Sequence, residues 1–337
     1  MYFMQSIKHQ SLFVGSFITY KNHDNNNVKT NIVLLGQGWF AKGFLDHINS
    51  KKFYITNITR HEFVNTPMLL RTIDNRNKYE KNNNFIKKID KIVIDEINKI
   101  DLKNKYVQTQ DNRIYWENGY LVCGLGSNED IGKKWESIID KNKNTNEIKK
   151  YCIVGSGPTG TELAFYLNDQ GHYINLYDIL DEKEVYNYLS NQGRDIILDK
   201  IKKSNIKLFC GKPYNNTMKD EFNEVIFATG SKPNDLTKGW IITPKLNLKN
   251  HYDVFFGGDC NNENKLPKNA QVAYQQGKYI AETLNNGEKE KDFKFNNNGI
   301  ALYCGNGNYY VETKFLERDI KCIIPNILVE LYYSIFS

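Results

Sequence analysis

The sequence predicts an α/β fold of two similar units, the second threaded into the first, followed by a short C-terminal segment. Three observations predict it. An apolar strand, a glycine-rich turn, a helix and a second strand follow one another from Asn31 and again from Tyr151. Each series ends in a later apolar strand that runs into a glycine, Gly126 in the first and Gly230 in the second. The chain has 337 residues, enough for two domains of ordinary size. An internal repeat of this kind implies two Rossmann-like dinucleotide-binding domains.

The elements follow in order. Residues 1–29 read as an N-terminal extension. Met1–Tyr20 has no acid and only a weak likeness to an organelle transit peptide, since it lacks arginine. Asn31–Leu35 is a buried strand, Phe40–Ile48 a helix and Phe53–Ile58 the next strand. Phe85–Arg113 holds short strands and turns, and Gly119–Leu125 is another apolar strand. A polar helix is expected over Ile131–Lys141, then a lysine-rich linker to Lys150. In the second unit, strands are expected at Tyr151–Val154, Tyr173–Tyr177, Ile206–Phe209 and Glu224–Phe227. Helices are expected over Thr161–Gln170 and on to about Lys203. Val254–Phe256 and a helix from Asn269 to Leu284 return the chain to the first unit. The first domain therefore takes residues 30–130 and 245–295, the second 131–244, and the C-terminal segment 296–337.

Gly36-Gln37-Gly38-Trp39-Phe40-Ala41 is a GxGxxA turn between a strand and a helix. Gly36 permits the tight turn, Gly38 lets the backbone approach a pyrophosphate, and Ala41 keeps the helix close to the strand. The phosphate then meets unpaired N–H groups and the positive end of the helix dipole. The strand that follows lacks the acid expected for a ribose and ends in Asn57-Ile58-Thr59-Arg60, leaving Glu62 or a backbone group for that contact. Gly155-Ser156-Gly157-Pro158-Thr159-Gly160 is the full GxGxxG, and Asp178 ends the strand after its helix. A carboxylate there accepts ribose hydroxyls and repels a 2′-phosphate, which favours NAD over NADP. Glu162 lies on the first turn of that helix with two roles open: a charge partner of the helix N-terminus, or a contact to a cofactor edge.

Composition narrows the function. The net charge of +6 is spread without a dense basic block, so no nucleic-acid footprint is indicated. The six cysteines form no CxxC or CxxxxC pair and no zinc spacing, which reads as unpaired thiols in a reducing compartment and no metal site. No apolar run is long enough to cross a bilayer.

Gly155–Ala164 (GSGPTGTELA), Ala228-Thr229-Gly230, Gly258-Asp259 and Ala270–Ala281 (AQVAYQQGKYIA) resemble the two-dinucleotide-domain flavoprotein reductases. Thr66-Pro67-Met68-Leu69 and the Ala-Gln helix Ala270-Gln271-Val272-Ala273 are similar to segments of the type II NADH:quinone dehydrogenases. The resemblance covers roughly residues 30–310. It implies FAD on the discontinuous first domain, NADH on the inserted second, and a quinone as acceptor. By position it assigns Gly36, Gly38, Ala41, Thr66, Pro67, Gly126, Gly258 and Asp259 to FAD, and Gly155, Gly157, Gly160, Asp178 and Gly230 to NADH. It places Glu162 near the nicotinamide, and Gln271 and Gln275 along the quinone path. The implied reaction is a non-proton-pumping transfer of electrons from NADH through the flavin.

Two other readings stay open: an apoptosis-inducing-factor-like NADH oxidoreductase, and a redox-silent FAD/NADH-binding sensor or scaffold. A disulfide reductase is set aside because no cysteine pair stands near the first glycine turn in sequence. The apolar stretch Lys321–Phe336, preceded by Lys314 and Arg318, fits a segment lying in a membrane interface. A helix on the protein's own core, or a homodimer contact, is the alternative. The location that follows is intracellular and peripheral on a membrane, the mitochondrial inner membrane among the candidates.

Overall fold

The computed structural model describes residues 29–60, 87–128, 138, 147–230, 232, 234–261, 266–287, 291–315 and 318–325. Residues 1–28 of the N-terminal extension, Glu62, Thr66, Pro67, most of the helix expected over Ile131–Lys141, and residues 326–337 lie outside the described residues.

In chain order the first unit opens with β1 (Thr30–Leu35), α1 (Trp39–His47) and β2 (Phe53–Thr59). Then come β3 (Lys91–Ile94), β4 (Ile97–Asp101), β5 (Tyr106–Thr109), β6 (Arg113–Tyr115) and β7 (Tyr120–Cys123). The second unit holds β8 (Lys150–Val154), α2 (Pro158–Asp169), β9 (Tyr173–Tyr177), α3 (Asn191–Lys202), β10 (Ile206–Phe209) and β11 (Glu224–Phe227). The chain returns through β12 (Asn247–Leu248), β13 (His251–Phe256) and α4 (Ala270–Asn286), and continues as β14 (Ile300–Tyr303), β15 (Asn308–Phe315) and β16 (Arg318–Pro325).

The first sheet has the order β12-β13-β7-β1-β2-β3. All its neighbours pair in parallel except the edge pair β12–β13. β1 is buried over Ile32–Leu35 because a central parallel strand is covered on both faces and so reads as one apolar run. On one face lie α1 and α4, joined by Phe40, Phe44, Ala273 and Ile280. These two helices touch backbone to backbone at glycines. A Cβ at Gly43 would stand 2.0 Å from the Tyr274 carbonyl O, and one at Gly277 2.1 Å from that of Phe40. On the other face the antiparallel β4-β5-β6 sheet sets Val107 and Trp116 against Val33 and Leu35.

The second sheet has the order β10-β9-β8-β11, all parallel. Both sheets thus run third, second, first, later strand, with the glycine turn after the first strand at the point where strand order reverses. This is an α/β protein with two Rossmann-like units. Between β9 and α3 the chain makes turns where helix was expected. α3 begins at Asn191 because the Ser190 side chain accepts from Gly193 N–H as its N-cap.

β14-β15-β16 form an antiparallel sheet whose Leu302, Cys304 and Tyr310 join the core of the second unit. Carboxylates hold it there. Glu312 accepts from Ser190 N–H at 2.9 Å and from its hydroxyl at 2.6 Å, and Asp169 accepts from Asn306 N–H at 2.8 Å. The stretch Lys321–Phe336, read from sequence as one apolar unit, is divided by this sheet. Lys321–Pro325 completes β16 by pairing with Asn308–Glu312. The short apolar run Cys322-Ile323-Ile324 suits a β-strand as well as an interfacial segment, so sequence did not separate the two.

Candidate dinucleotide sites

The first cradle forms where β1, β7 and β13 end. Gly36 has φ +85 and donates its N–H to Ile58 O at 2.8 Å. A Cβ there would stand 2.5 Å from Gly124 O, so only glycine fits. Gly38 is the N-cap of α1 and supplies no side-chain cap, which leaves first-turn N–H groups for a ligand. Ala41 is fully buried against the sheet. Gly126, after β7, has open space where a Cβ would be. After β13, Gly258 donates its N–H to Gln276 Oε1 at 2.6 Å. Burial pushes the Asp259 carboxyl above the usual carboxylate range, and Lys268 pulls it back down.

The second cradle repeats this geometry. Gly155 has φ +103 and donates its N–H to Tyr177 O at 2.7 Å. Its Cβ would stand 2.5 Å from Ala228 O, the counterpart of Gly124 O. Gly160 packs so close that its Cβ would be 1.9 Å from Gly155 O. Gly157 differs from both, because a Cβ there would meet no atom within 4 Å. Gly157 also caps α2 without a side-chain bond, and Pro158 removes an N–H at the first helical position. Open space above an unpaired helix N-terminus fits a dinucleotide pyrophosphate. Gly230 is equally open.

The Asp178 carboxylate closes over the second turn. Its Oδ2 accepts from Ser156 N–H at 2.7 Å and Ser156 Oγ at 2.5 Å, and its Oδ1 accepts from Leu180 N–H at 2.9 Å. Two of the oxygens' roughly four acceptor positions are taken at Oδ2 and one at Oδ1, which leaves capacity for a hydroxyl. In the first unit the bond from Gly36 to Ile58 matches that from Gly155 to Tyr177, so Thr59 stands where Asp178 does. Asn57 serves the turn instead. Its Nδ2 donates to Leu34 O at 3.0 Å and Gly36 O at 2.9 Å, leaving Oδ1 buried with no partner among the described residues.

Glu162 is 1% exposed and accepts from Tyr303 N–H at 3.0 Å. Burial pushes its carboxyl up to about 8, against the lowering effect of that bond. The helix residue therefore also holds the C-terminal sheet, a role that motif spacing does not reveal. Gln271 and Gln275 are engaged as well. Gln271 donates to Gly299 O at 2.7 Å and accepts from Asn298 N–H at 3.1 Å. Gln275 donates to Asn296 O at 2.8 Å and accepts from Asn296 N–H at 2.9 Å. Both amides grip the 296–299 strap, which leads from the first unit to the C-terminal sheet. Sequence reasoning missed Asn57, Ser156 and Gln276. Buried amides and a hydroxyl next to glycine turns were the signal available.

Two glycine cradles at the reversal points of two parallel sheets define a two-dinucleotide oxidoreductase fold. The chain belongs to the pyridine nucleotide-disulphide oxidoreductase family, whose model matches residues 30–277. It is 25% identical over 370 residues to a probable NADH dehydrogenase of Dictyostelium discoideum, covering 85% of this chain and 81% of that one. A 138-residue stretch is 30% identical to the type II NADH:quinone oxidoreductase of Staphylococcus saprophyticus, covering 35% of this chain and 34% of that enzyme. The structure of NDH2 from Plasmodium falciparum in complex with NADH superposes with a TM-score of 0.68 at 14% identity, over 92% of this chain and 95% of that one. The protein is accordingly an NAD(P)H-dependent flavin oxidoreductase.

Proposed function

We propose that the protein is a non-proton-pumping NADH:quinone oxidoreductase, with FAD in the first cradle and NADH in the second. The observation that carries this reading is the repeated cradle: the same glycine-to-carbonyl packing at Gly36 and Gly155, with open glycines at Gly126, Gly157 and Gly230. The resemblance of α4 to the Ala-Gln helix and the printed names of the Dictyostelium and Staphylococcus relatives support a quinone acceptor.

Bound flavin supplies the two-electron relay between hydride donor and acceptor. The chain's own residues bind and orient. Gly36, Gly38 and Ala41, with Gly126, Gly258 and Asp259, hold the FAD, and Thr66 and Pro67 are assigned beside its ring. Gly155, Gly157, Gly160 and Gly230 hold the pyrophosphate side of NADH, and Asp178 takes the adenosine ribose. Glu162 acts from the second turn of α2, near the nicotinamide. Gln271 and Gln275 border the quinone path and hold its strap.

The test is quinone reduction by the purified protein, with short-chain quinone analogues, in the presence and absence of NADH. NADH-dependent quinone loss supports the reading. Consumption of NADH with oxygen alone as acceptor overturns the quinone half and leaves the dinucleotide half standing.

Asp178→Ser raises the ratio of NADPH to NADH use about tenfold, the effect of roughly 1.4 kcal/mol of lost discrimination. Steady-state kcat/KM with each donor measures it, and a wild type that prefers NADPH would remove Asp178 from this role.

Replacing Gln271 and Gln275 together with Leu leaves four polar groups of the strap without their amide partners. Quinone reduction then slows by about tenfold or more, while bleaching of the flavin absorbance by NADH stays within about twofold. Equal loss in both half-reactions would assign the two glutamines to the fold alone.

Peripheral membrane contact belongs to the same reading, since a long-tailed quinone resides in lipid. No helix among the described residues is long and apolar enough to cross a membrane. Removing residues 326–337 leaves β16 whole and abolishes co-sedimentation with anionic vesicles. If the full chain does not co-sediment, the contact is not made.

A further inference from the structure

The antiparallel β4-β5-β6 sheet carries a surface pocket of about 530 Å³ that neither cradle uses. It lies where the strands of the first sheet begin. Asn31 Nδ2, in β1, donates to Tyr115 O at 2.9 Å, and Lys105 Nζ pairs with Asp253 Oδ2 of β13 at 2.8 Å. The glycines assigned to FAD follow the other ends of these strands. Along β1, Asn31 and Gly36 stand roughly 16 Å apart at the usual rise of a strand. The pocket is therefore a separate site, and its volume is that of a small-molecule site.

Its walls are held in place. Asp101 Oδ1 accepts from Asn104 N–H at 3.0 Å and fixes the turn between β4 and β5. Trp116 N–H donates to Lys105 O at 3.0 Å, and the buried indole N–H of Trp116 donates to Asp253 Oδ2 at 3.3 Å. Tyr106 and Tyr115 face each other across β5 and β6 with ring centroids 5.6 Å apart. The Arg113 guanidinium lies 5.1 Å over the Tyr106 ring, and its Nε donates to Gln108 Oε1 at 2.8 Å. Ring and amide together orient the guanidinium plane, while its two terminal nitrogens have no hydrogen-bond partner among the described residues. Lys103 and Glu117 also line the pocket, and neither makes an ion pair among the described residues. Lys105 is neutralised by Asp253, so the groups left for a ligand are two cations, one carboxylate and the Tyr115 ring, 39% exposed.

We propose that this pocket binds a nucleoside monophosphate. A guanidinium with free terminal N–H groups beside an ammonium takes a phosphate, which assigns that group to Arg113 and Lys103. An exposed aromatic face takes a flat base by stacking, which assigns the base to Tyr115. An unpaired carboxylate accepts from neighbouring hydroxyls, which assigns the ribose to Glu117. The three parts of the ligand thus meet three kinds of lining group. The site is a property of the β4-β5-β6 sheet and does not depend on which acceptor the enzyme uses.

The test is calorimetric titration of AMP into the full-length flavin-loaded protein, with NAD present at saturation so that AMP cannot report on the second cradle. One AMP binds per chain, and added salt weakens it. Affinity falls about tenfold in Arg113→Gln and in Tyr115→Ala, and severalfold in Lys103→Gln. Lys103 is exposed and unpaired among the described residues, so Lys103→Gln keeps the fold whatever the other two variants do. Bleaching of the flavin by NADH is unchanged in all three. The proposal is overturned if AMP fails to bind once NAD is present, or if Lys103→Gln and Arg113→Gln bind it as tightly as the wild type. Inorganic phosphate binding as tightly as AMP also overturns it, since the ring and ribose contacts would then contribute nothing.

Discussion

Gly157→Val yields a protein that stays yellow and is no longer bleached by NADH. The open space beside Gly157 is where the proposed pyrophosphate contact falls, and a Cβ added there meets no atom within 4 Å. Folding is therefore spared. Gly157 has φ −58, a conformation open to any residue, so no backbone strain accompanies the change. Loss of the pyrophosphate contact and displacement of the donor from the flavin cost on the order of 100-fold or more in the rate of bleaching. The contrast is Gly155→Val. There the Cβ meets Ala228 O at 2.5 Å in a left-handed conformation, and the second unit itself is destabilised. A Gly157→Val protein that loses flavin and keeps NADH binding would reverse the assignment of the two cradles.

Glu162→Gln removes a large pH dependence of stability. The folded carboxyl titrates at about 8, and an unfolded glutamate at about 4.3. Between these values the folded state holds a proton that the unfolded state has lost, so stability is full below the unfolded pKa and falls as pH rises toward the folded one. Above about 8 both states are ionised and the loss is complete. Glutamine keeps the acceptor for Tyr303 N–H and has no proton to lose. The difference between variant and wild type therefore grows from near zero at low pH to on the order of 3–5 kcal/mol in the variant's favour near pH 8. Denaturant unfolding of both proteins at a series of pH values measures it. A constant difference across pH would mean that Glu162 is ionised in the fold throughout.

The fold was legible because its main signals are local. Strands such as Tyr173–Tyr177 and Ile206–Phe209 stand out as short apolar runs between polar turns, and they fall where the periodicity puts them. Glycine turns between a strand and a helix carry their own geometry, and Gly36 and Gly155 need a left-handed φ whatever surrounds them. Long-range pairings were not legible. Nothing near Glu162 in sequence announces Tyr303, and nothing near Gln271 announces the 296–299 strap. The same holds for Asn57, whose amide fastens the turn of a neighbouring strand. The C-terminal sheet misled for a related reason. Its strands are short apolar runs such as Ile300–Tyr303 and Cys322–Ile324, and their partner is the core of a unit that ended many residues earlier. Ser190 shows the opposite case, since an N-cap serine is a local signal that places the start of α3.

In the proposed reaction electrons pass from NADH to quinone through the flavin of the first cradle. Anaerobic stopped-flow mixing tests it most directly, first with NADH and then with a short-chain quinone, while the flavin absorbance is followed. The account predicts rapid bleaching in the first mix and full recovery of absorbance in the second. A flavin that NADH fails to bleach, or one that quinone fails to restore, would contradict it.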